Sequence, residues 1–125
     1  MVTNARHELA NALREALPPK WLVLNYWPTL DNPDRVTILV RQSALVRTPG
    51  APRLYRDVTV NVGLVEPGLD PALVEDALDE DLELLIDALE SIPIDGLRWE
   101  GASRSVFQDR WQGYDVTTTI TTEKD

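Results

Sequence analysis

The sequence predicts one α+β domain in which helices pack on a largely antiparallel sheet, in the order helix, three strands, helix, two strands. Two segments carry apolar residues at helical three- and four-residue steps, and two others alternate apolar and polar residues with the period of a half-buried strand. A chain of 125 residues has the length of a single domain and buries a substantial core. We therefore interpret residues 1–125 as one domain.

The first helix is predicted over residues 4–17, where alanine and leucine recur at helical spacing. Asn4 is a residue type that caps helix starts, and Pro18 ends the helix because proline cannot continue it. A first strand is predicted from Trp21 to Trp27, an aromatic and apolar run that stops at Pro28.

The next two strands are predicted to pair as a long antiparallel hairpin over about residues 35–65. Most even-numbered residues of its first strand are apolar, whereas Arg35, Arg41 and Arg47 occupy odd positions. Because strand side chains alternate between faces, these arginines are expected on the face opposite to the apolar one. The link Thr48-Pro49-Gly50-Ala51-Pro52 carries turn-forming residues.

The second helix is predicted over about residues 71–92. Asp70 and Pro71 are an N-cap and a proline at the first helical position, and a single apolar stripe follows at three- and four-residue steps. Two more strands, from Leu97 to Phe107 and from Trp111 to Thr122, complete the pattern, the last of them favoured by β-branched threonines.

Charge is distributed unevenly along the chain. The chain has 12 Lys and Arg against 21 Asp and Glu, a net charge of -9. Ten of the acids lie between Glu66 and Glu90, a window without Lys or Arg, so the remaining 11 acids and 12 bases sum to +1. From Arg35 to Arg56 there are five arginines and no acid. The second helix is therefore acidic, and the hairpin is basic.

This uneven distribution of charge predicts that the hairpin of one subunit binds the acidic helix of its neighbour. Such head-to-tail contacts would close into a ring. The alternative is a solvated acidic helix and an exposed arginine face on the same monomer. The candidate subunit-interface residues are Arg41, Arg47, Arg53 and Arg56 on the hairpin, and Asp79, Glu80, Glu83 and Asp87 on the helix.

Residues that support catalysis, metal binding or cofactor binding are scarce. The chain has no Cys and a single histidine, His7, which excludes thiolate sites, Cys nucleophiles and multi-His metal sites within one chain. No glycine-rich phosphate loop occurs, and the acidic helix lacks the spacing of a calcium-binding loop. We expect a protein that is not an enzyme and that binds no cofactor or metal.

Composition also bears on partners and location. A net negative chain is repelled by nucleic acid and by anionic membranes, and no apolar run approaches the roughly 20 residues of a membrane span. The first residues contain no signal-peptide core. We expect an untargeted soluble protein without a membrane partner.

Over residues 4–122 the order of these elements, more than any single residue, resembles that of a known protein family. Its parts are a first helix ending at Leu17-Pro18, an aromatic strand from Trp21 to Trp27, a hairpin with the proline-rich tip at residues 48–52, an Asp70-Pro71 helix start followed by Glu75-Asp76-Ala77-Leu78-Asp79, and two C-terminal strands ending in alternating threonine and apolar residues. The chain resembles the tail terminator (tail-completion) proteins of long-tailed bacteriophages, especially those of actinobacteria.

The resemblance implies a non-enzymatic structural protein of the virion, made in the host cytoplasm. Such proteins form a hexameric ring at the head-proximal end of the tail tube, stop tube polymerisation and join the tail to the head connector. The implied partners are further copies of this chain, the tail tube protein, the head–tail connector protein, and DNA that passes through the lumen without specific binding. Whether the acidic helix faces that lumen or a neighbour stays open.

Two other functions stay open on the sequence alone. One is an acidic protein-binding module, of the immunity type or a nucleic-acid mimic, which predicts a monomer or dimer with a basic protein partner. The other is a small enzyme with an apolar pocket and a few convergent polar groups. Ring formation distinguishes the tail terminator from both.

Overall fold

Within the described residues, seven helices and strands follow one another in the predicted order, which confirms the α+β fold class. The structure, a computed structural model, describes residues 4–30, 33–48, 50 and 55–123. Its elements are α1 (Ala5–Ala16), β1 (Leu22–Leu24), β2 (Thr37–Arg47), β3 (Tyr55–Val65), α2 (Pro71–Ser91), β4 (Leu97–Phe107) and β5 (Trp111–Glu123). Strand β1 is shorter than predicted, because only its three residues reach β2.

The five strands form one sheet in the order β1-β2-β3-β5-β4. Strand β1 is parallel to β2, and all other neighbours are antiparallel. The hairpin of β2 and β3 is therefore present, and β3 pairs along its whole length with β5. This pairing makes β3 the centre of the domain.

Both helices begin at the caps that the sequence predicts. The Asn4 side chain accepts a hydrogen bond from the His7 backbone N–H at 3.2 Å. The Asp70 carboxylate accepts two, from the N–H groups of Ala72 and Leu73 at 3.1 and 3.3 Å. These bonds satisfy amide groups that have no partner within the helix, so the caps fix where each helix starts.

The main core lies between the two helices and one face of the sheet. Leucines of α1 and α2 pack there on the valines of β3 and on Val116 and Ile120 of β5. The buried side chains of α2 form the predicted stripe, and they are Val74, Leu78, Leu85, Ala88 and Leu89. Burial of this stripe stabilises the helix against the sheet far more than its intrinsic propensity does.

The opposite face of the sheet carries a smaller apolar cluster at one end only. Leu39, Val65, Phe107 and Trp111 are its buried members, and Trp27 packs against them. Residues of β2 near its start are consequently buried on both faces of the sheet, including Leu39 and the polar residue Thr37. The simple alternation expected for this strand applies only where one face is open.

The prediction that Arg35, Arg41 and Arg47 share one face of a strand is wrong. The register of β2 against β3 shifts between Gln42 and Ala44, so the strand contains a β-bulge that inverts the alternation beyond it. Arg41 pairs with Asn61 on the face without helices. Arg47 instead pairs with Arg56 on the helix-bearing face, and Arg35 precedes the strand.

Candidate subunit interface

The far end of the hairpin extends beyond the helix layer. We call Arg41–Arg47 of β2 together with Tyr55–Asp57 of β3 the hairpin arm. Every residue from Arg41 to Arg47 is exposed, whereas the four residues before them are buried. Among the described residues, no strand pairs with the outer edge of β2 beyond Leu39. The arm therefore offers both faces and one edge for contact.

Apolar side chains of the arm are open to solvent on both faces. Leu45 is 50% exposed and Val46 is 53% exposed. Leu45 pairs with Val58 on the helix-bearing face, and Val46 pairs with Asp57 on the other. Side chains of this kind on a long strand edge are typical of surfaces that another chain covers.

The cations of the arm fall into two groups. Arg47 and Arg56 are cross-strand partners that line a hollow of about 450 Å³ with Leu45 and Val46. Within the described part of the chain neither forms an ion pair. Arg41 lies on the opposite face, with its guanidinium 4.1 Å from the centre of the Trp27 ring. Of the arginines predicted at the subunit interface, the structure therefore brings only Arg47 and Arg56 together.

The fourth predicted arginine, Arg53, lies outside the described residues. The four predicted acids of α2 are all exposed: Asp79, Glu80, Glu83 and Asp87. Their spacing of three and four residues places them along one side of the helix. We call these four residues the acidic stripe. No ion pair within the described ranges joins the stripe to the arm.

Another acid of the same helix is already neutralised within the chain. Glu75 receives two hydrogen bonds from the guanidinium of Arg104 on β4, one of them at 3.1 Å. The bonds from Arg104 hold the pKa of Glu75 below its ordinary value. Glu75 thus has a cationic partner within the chain, whereas no residue of the acidic stripe forms an ion pair with a described residue.

A buried carboxyl group that sequence reasoning treated only as charge lies at the end of β3. Glu66 is 6% exposed, and apart from Asp81 its Oε2 atom has no hydrogen-bond partner among the described residues. Burial raises the pKa of Glu66 to about 8, and a hydrogen bond and charge repulsion from Asp81 contribute to the shift. Glu66 therefore holds its proton to a higher pH than an exposed glutamate does.

Glu66 lies in a cleft at the start of α2. The cleft measures about 240 Å³, and its apolar walls include Pro67, Leu69, Leu73, Val74 and Ala77. Leu69 and Leu73 are 59% and 69% exposed. We call this feature the Glu66 cleft. A carboxylate directly after the apolar run Val62-Gly63-Leu64-Val65 is the sequence signal that points to it.

The raised pKa of Glu66 makes stability depend on pH. Between its ordinary pKa of 4.5 and about 8, the folded protein holds a proton that the unfolded chain has released. The free energy of unfolding therefore falls as pH rises through this window, and it levels off above pH 8. Asp57 has a lowered pKa, mainly from its hydrogen bond with Thr121, and affects stability only at more acidic pH.

We expect the urea midpoint of the wild-type protein to fall between pH 5 and pH 8. A Glu66→Gln variant keeps a neutral side chain of the same shape, so its midpoint should change much less over the same range. Equilibrium unfolding at five or six pH values measures both profiles. Parallel profiles for the two proteins would contradict a proton held at Glu66.

The described residues also bear on metal binding, on membrane insertion and on similarity to known proteins. Within residues 4–30, 33–48, 50 and 55–123, no three acidic or histidine side chains are grouped as metal ligands would be. Neither helix in the described part of the chain has the length and apolarity that crossing a membrane requires. No protein-family model and no curated protein matches the chain. Its function is therefore inferred from its own residues and geometry.

Proposed function

We propose that this protein is a structural virion protein that forms a ring at the head-proximal end of a phage tail tube. In this role it ends tube polymerisation and joins the tail to the head connector. The observation that carries the proposal is the hairpin arm, which is cationic and partly apolar and in which every residue from Arg41 to Arg47 is exposed. The resemblance of the element order to that of tail terminator proteins supports the biological context of this proposal.

The position of the arm supports contact between copies. Arg56 lies at one end of β3, and Glu66 follows its other end. At about 3.3 Å per residue, ten residues of strand separate the two by roughly 33 Å, more than any side chain spans. The arm can therefore reach a Glu66 cleft only on another copy. Contact between unlike surfaces is heterologous, and such contacts form a ring when the repeated rotation returns the last subunit to the first.

The proposed role is non-enzymatic and needs no cofactor. Its partners are further copies of the chain, the tail tube protein, the connector protein and the DNA that crosses the lumen. A net charge of -9 suits that passage, because a surface that repels the phosphate backbone does not retain DNA. The acidic stripe, including Glu83 and Asp87, remains available for a lumen surface or for a neighbour's arginines.

The proposal is tested by adding purified protein to tail tubes assembled from the tube protein of the same genome. We expect electron micrographs to show an added ring at one end of each tube and elongation from that end to stop. The control is the same quantity of an Arg47→Glu/Arg56→Glu variant, in which two positive charges of the arm are replaced by negative ones. Tubes that stay bare and keep growing in the presence of wild-type protein would contradict the proposal.

A second candidate function is an acidic protein-binding module. The acidic stripe favours it, because four exposed carboxylates on one helix side match a basic partner. That function predicts a monomer or dimer that does not bind tail tubes. The tube experiment therefore separates the two candidates.

A further inference from the structure

We propose that the Glu66 cleft of one subunit receives the Arg47 and Leu45 side chains of the neighbouring subunit's hairpin arm. The inference rests on the proposed ring and assigns its subunit contact to a specific pair of surfaces. It differs from the sequence hypothesis, in which the arginines met the acidic stripe. Two independent observations, one on each surface, carry it.

The first observation is a buried carboxyl group whose neighbour is a second carboxyl group. Glu66 is more than nine-tenths buried, and apart from Asp81 its Oε2 atom has no hydrogen-bond partner among the described residues. The two carboxyl groups lie beside the apolar walls of the cleft, and no described cation pairs with either of them. A guanidinium supplies N–H donors to carboxyl oxygens and neutralises a carboxylate. Arginine is favoured over lysine for this purpose because it is less strongly hydrated.

The second observation is the face that the bulge creates on the arm. Beyond the bulge, Leu45 and Arg47 are two residues apart and therefore point to the same side of β2. An apolar side chain and a cation are thus presented together. The cleft presents the complement, since Leu69 and Leu73 form an exposed apolar rim around the buried Glu66. Without the bulge, both side chains would lie on the opposite face of the sheet.

Docking in this way buries apolar surface that each free subunit exposes. Leu45 on the arm and Leu73 on the cleft rim are among the most exposed large apolar residues described in the chain. A cationic anchor surrounded by apolar contacts is the arrangement found at energetically dominant positions of interfaces. Leu69 and Leu73 therefore act as the rim that excludes water from the Arg47–Glu66 contact.

The decisive variant is Glu66→Gln, which keeps the shape of a protonated glutamic acid but cannot carry its charge. We expect it to stay folded by circular dichroism and to self-associate at least about tenfold more weakly in sedimentation. The matched control is Glu15→Gln, the same chemical change at an exposed position of α1. Wild-type association of Glu66→Gln would overturn the inference, as would equal weakening by Glu15→Gln.

Leu73→Lys provides a second variant should Glu66→Gln fail to fold. Leu73 is exposed, so the fold tolerates the change, while the new cation at the rim repels Arg47. We expect the same loss of association. Normal assembly of both cleft variants, together with failure of the arm variants, would overturn the cleft inference but not the proposed ring. The arm would then dock elsewhere, for example on the acidic stripe.

Mixing two defective variants tests the pairing itself. An Arg47→Glu protein retains its cleft, and a Glu66→Gln protein retains its arm. We expect each to be monomeric alone and the mixture to form a dimer of about 28 kDa, twice the 14.1 kDa chain, because only one productive contact exists. A mixture that stays monomeric, or that restores full rings, would overturn the inference.

Discussion

Replacing Gly113 by alanine should lower the free energy of unfolding by about 3 kcal/mol. A Cβ atom at this position of β5 would overlap the backbone carbonyl oxygen of Leu64 on β3 and lie 2.7 Å from the Phe107 ring. Backbone atoms of two paired central strands cannot move apart without breaking their hydrogen bonds. The close approach that only glycine allows thus holds Phe107 against the sheet.

Gly101→Ala is the matched control, because a Cβ atom there meets no atom within 4 Å. Gly101 lies beside the irregularity in the outer strand β4, so its replacement should change stability by no more than about 0.5 kcal/mol. Urea unfolding of the two variants measures the difference. Equal stabilities would contradict the tight packing assigned to Gly113.

Reversing the charge of the arm with Arg47→Glu/Arg56→Glu should weaken self-association at least about a hundredfold, equivalent to roughly 2.7 kcal/mol. The reason is that a negative arm would then face the carboxyl groups of the Glu66 cleft, which would lose their guanidinium partner. The fold should be affected little. The two side chains are cross-strand neighbours, and exchanging two positive charges for two negative ones keeps a like-charged pair.

Arg6→Glu/Arg35→Glu is the control for net charge. Each substitution changes the charge by two units, so both double variants go from -9 to -13. Sedimentation at low salt, where charge effects are least screened, compares the three proteins. Loss of association in both variants would attribute the effect to total charge and contradict a specific role for the arm.

The sequence predicted the elements of the fold because their signals are local. Asn4 and Asp70 cap their helices within three residues, and the apolar stripe of α2 is visible in its spacing alone. The bulge at Ser43 is not visible, because neither glycine nor proline marks it. Its effect on Arg47 depends on the register with β3, which connects residues far apart in the sequence.

The candidate site was predicted only in part for a similar reason. The count of charged residues identified the acidic helix. The four residues of the acidic stripe are exposed, as a contact surface requires. Counting could not separate those acids from Glu66, whose burial arises from packing between the end of β3 and α2. The stacking of Arg41 on Trp27 likewise depends on tertiary structure, which places the two side chains on the same face.

The central claim is that unlike surfaces of identical chains join into a closed ring. Native mass measurement of the purified wild-type protein over a range of concentrations tests it most directly. Six copies of the 14.1 kDa chain predict a closed species of about 85 kDa, with no continuous growth at higher concentration. A monomer of 14.1 kDa at every concentration, with and without tail tubes, would contradict the claim.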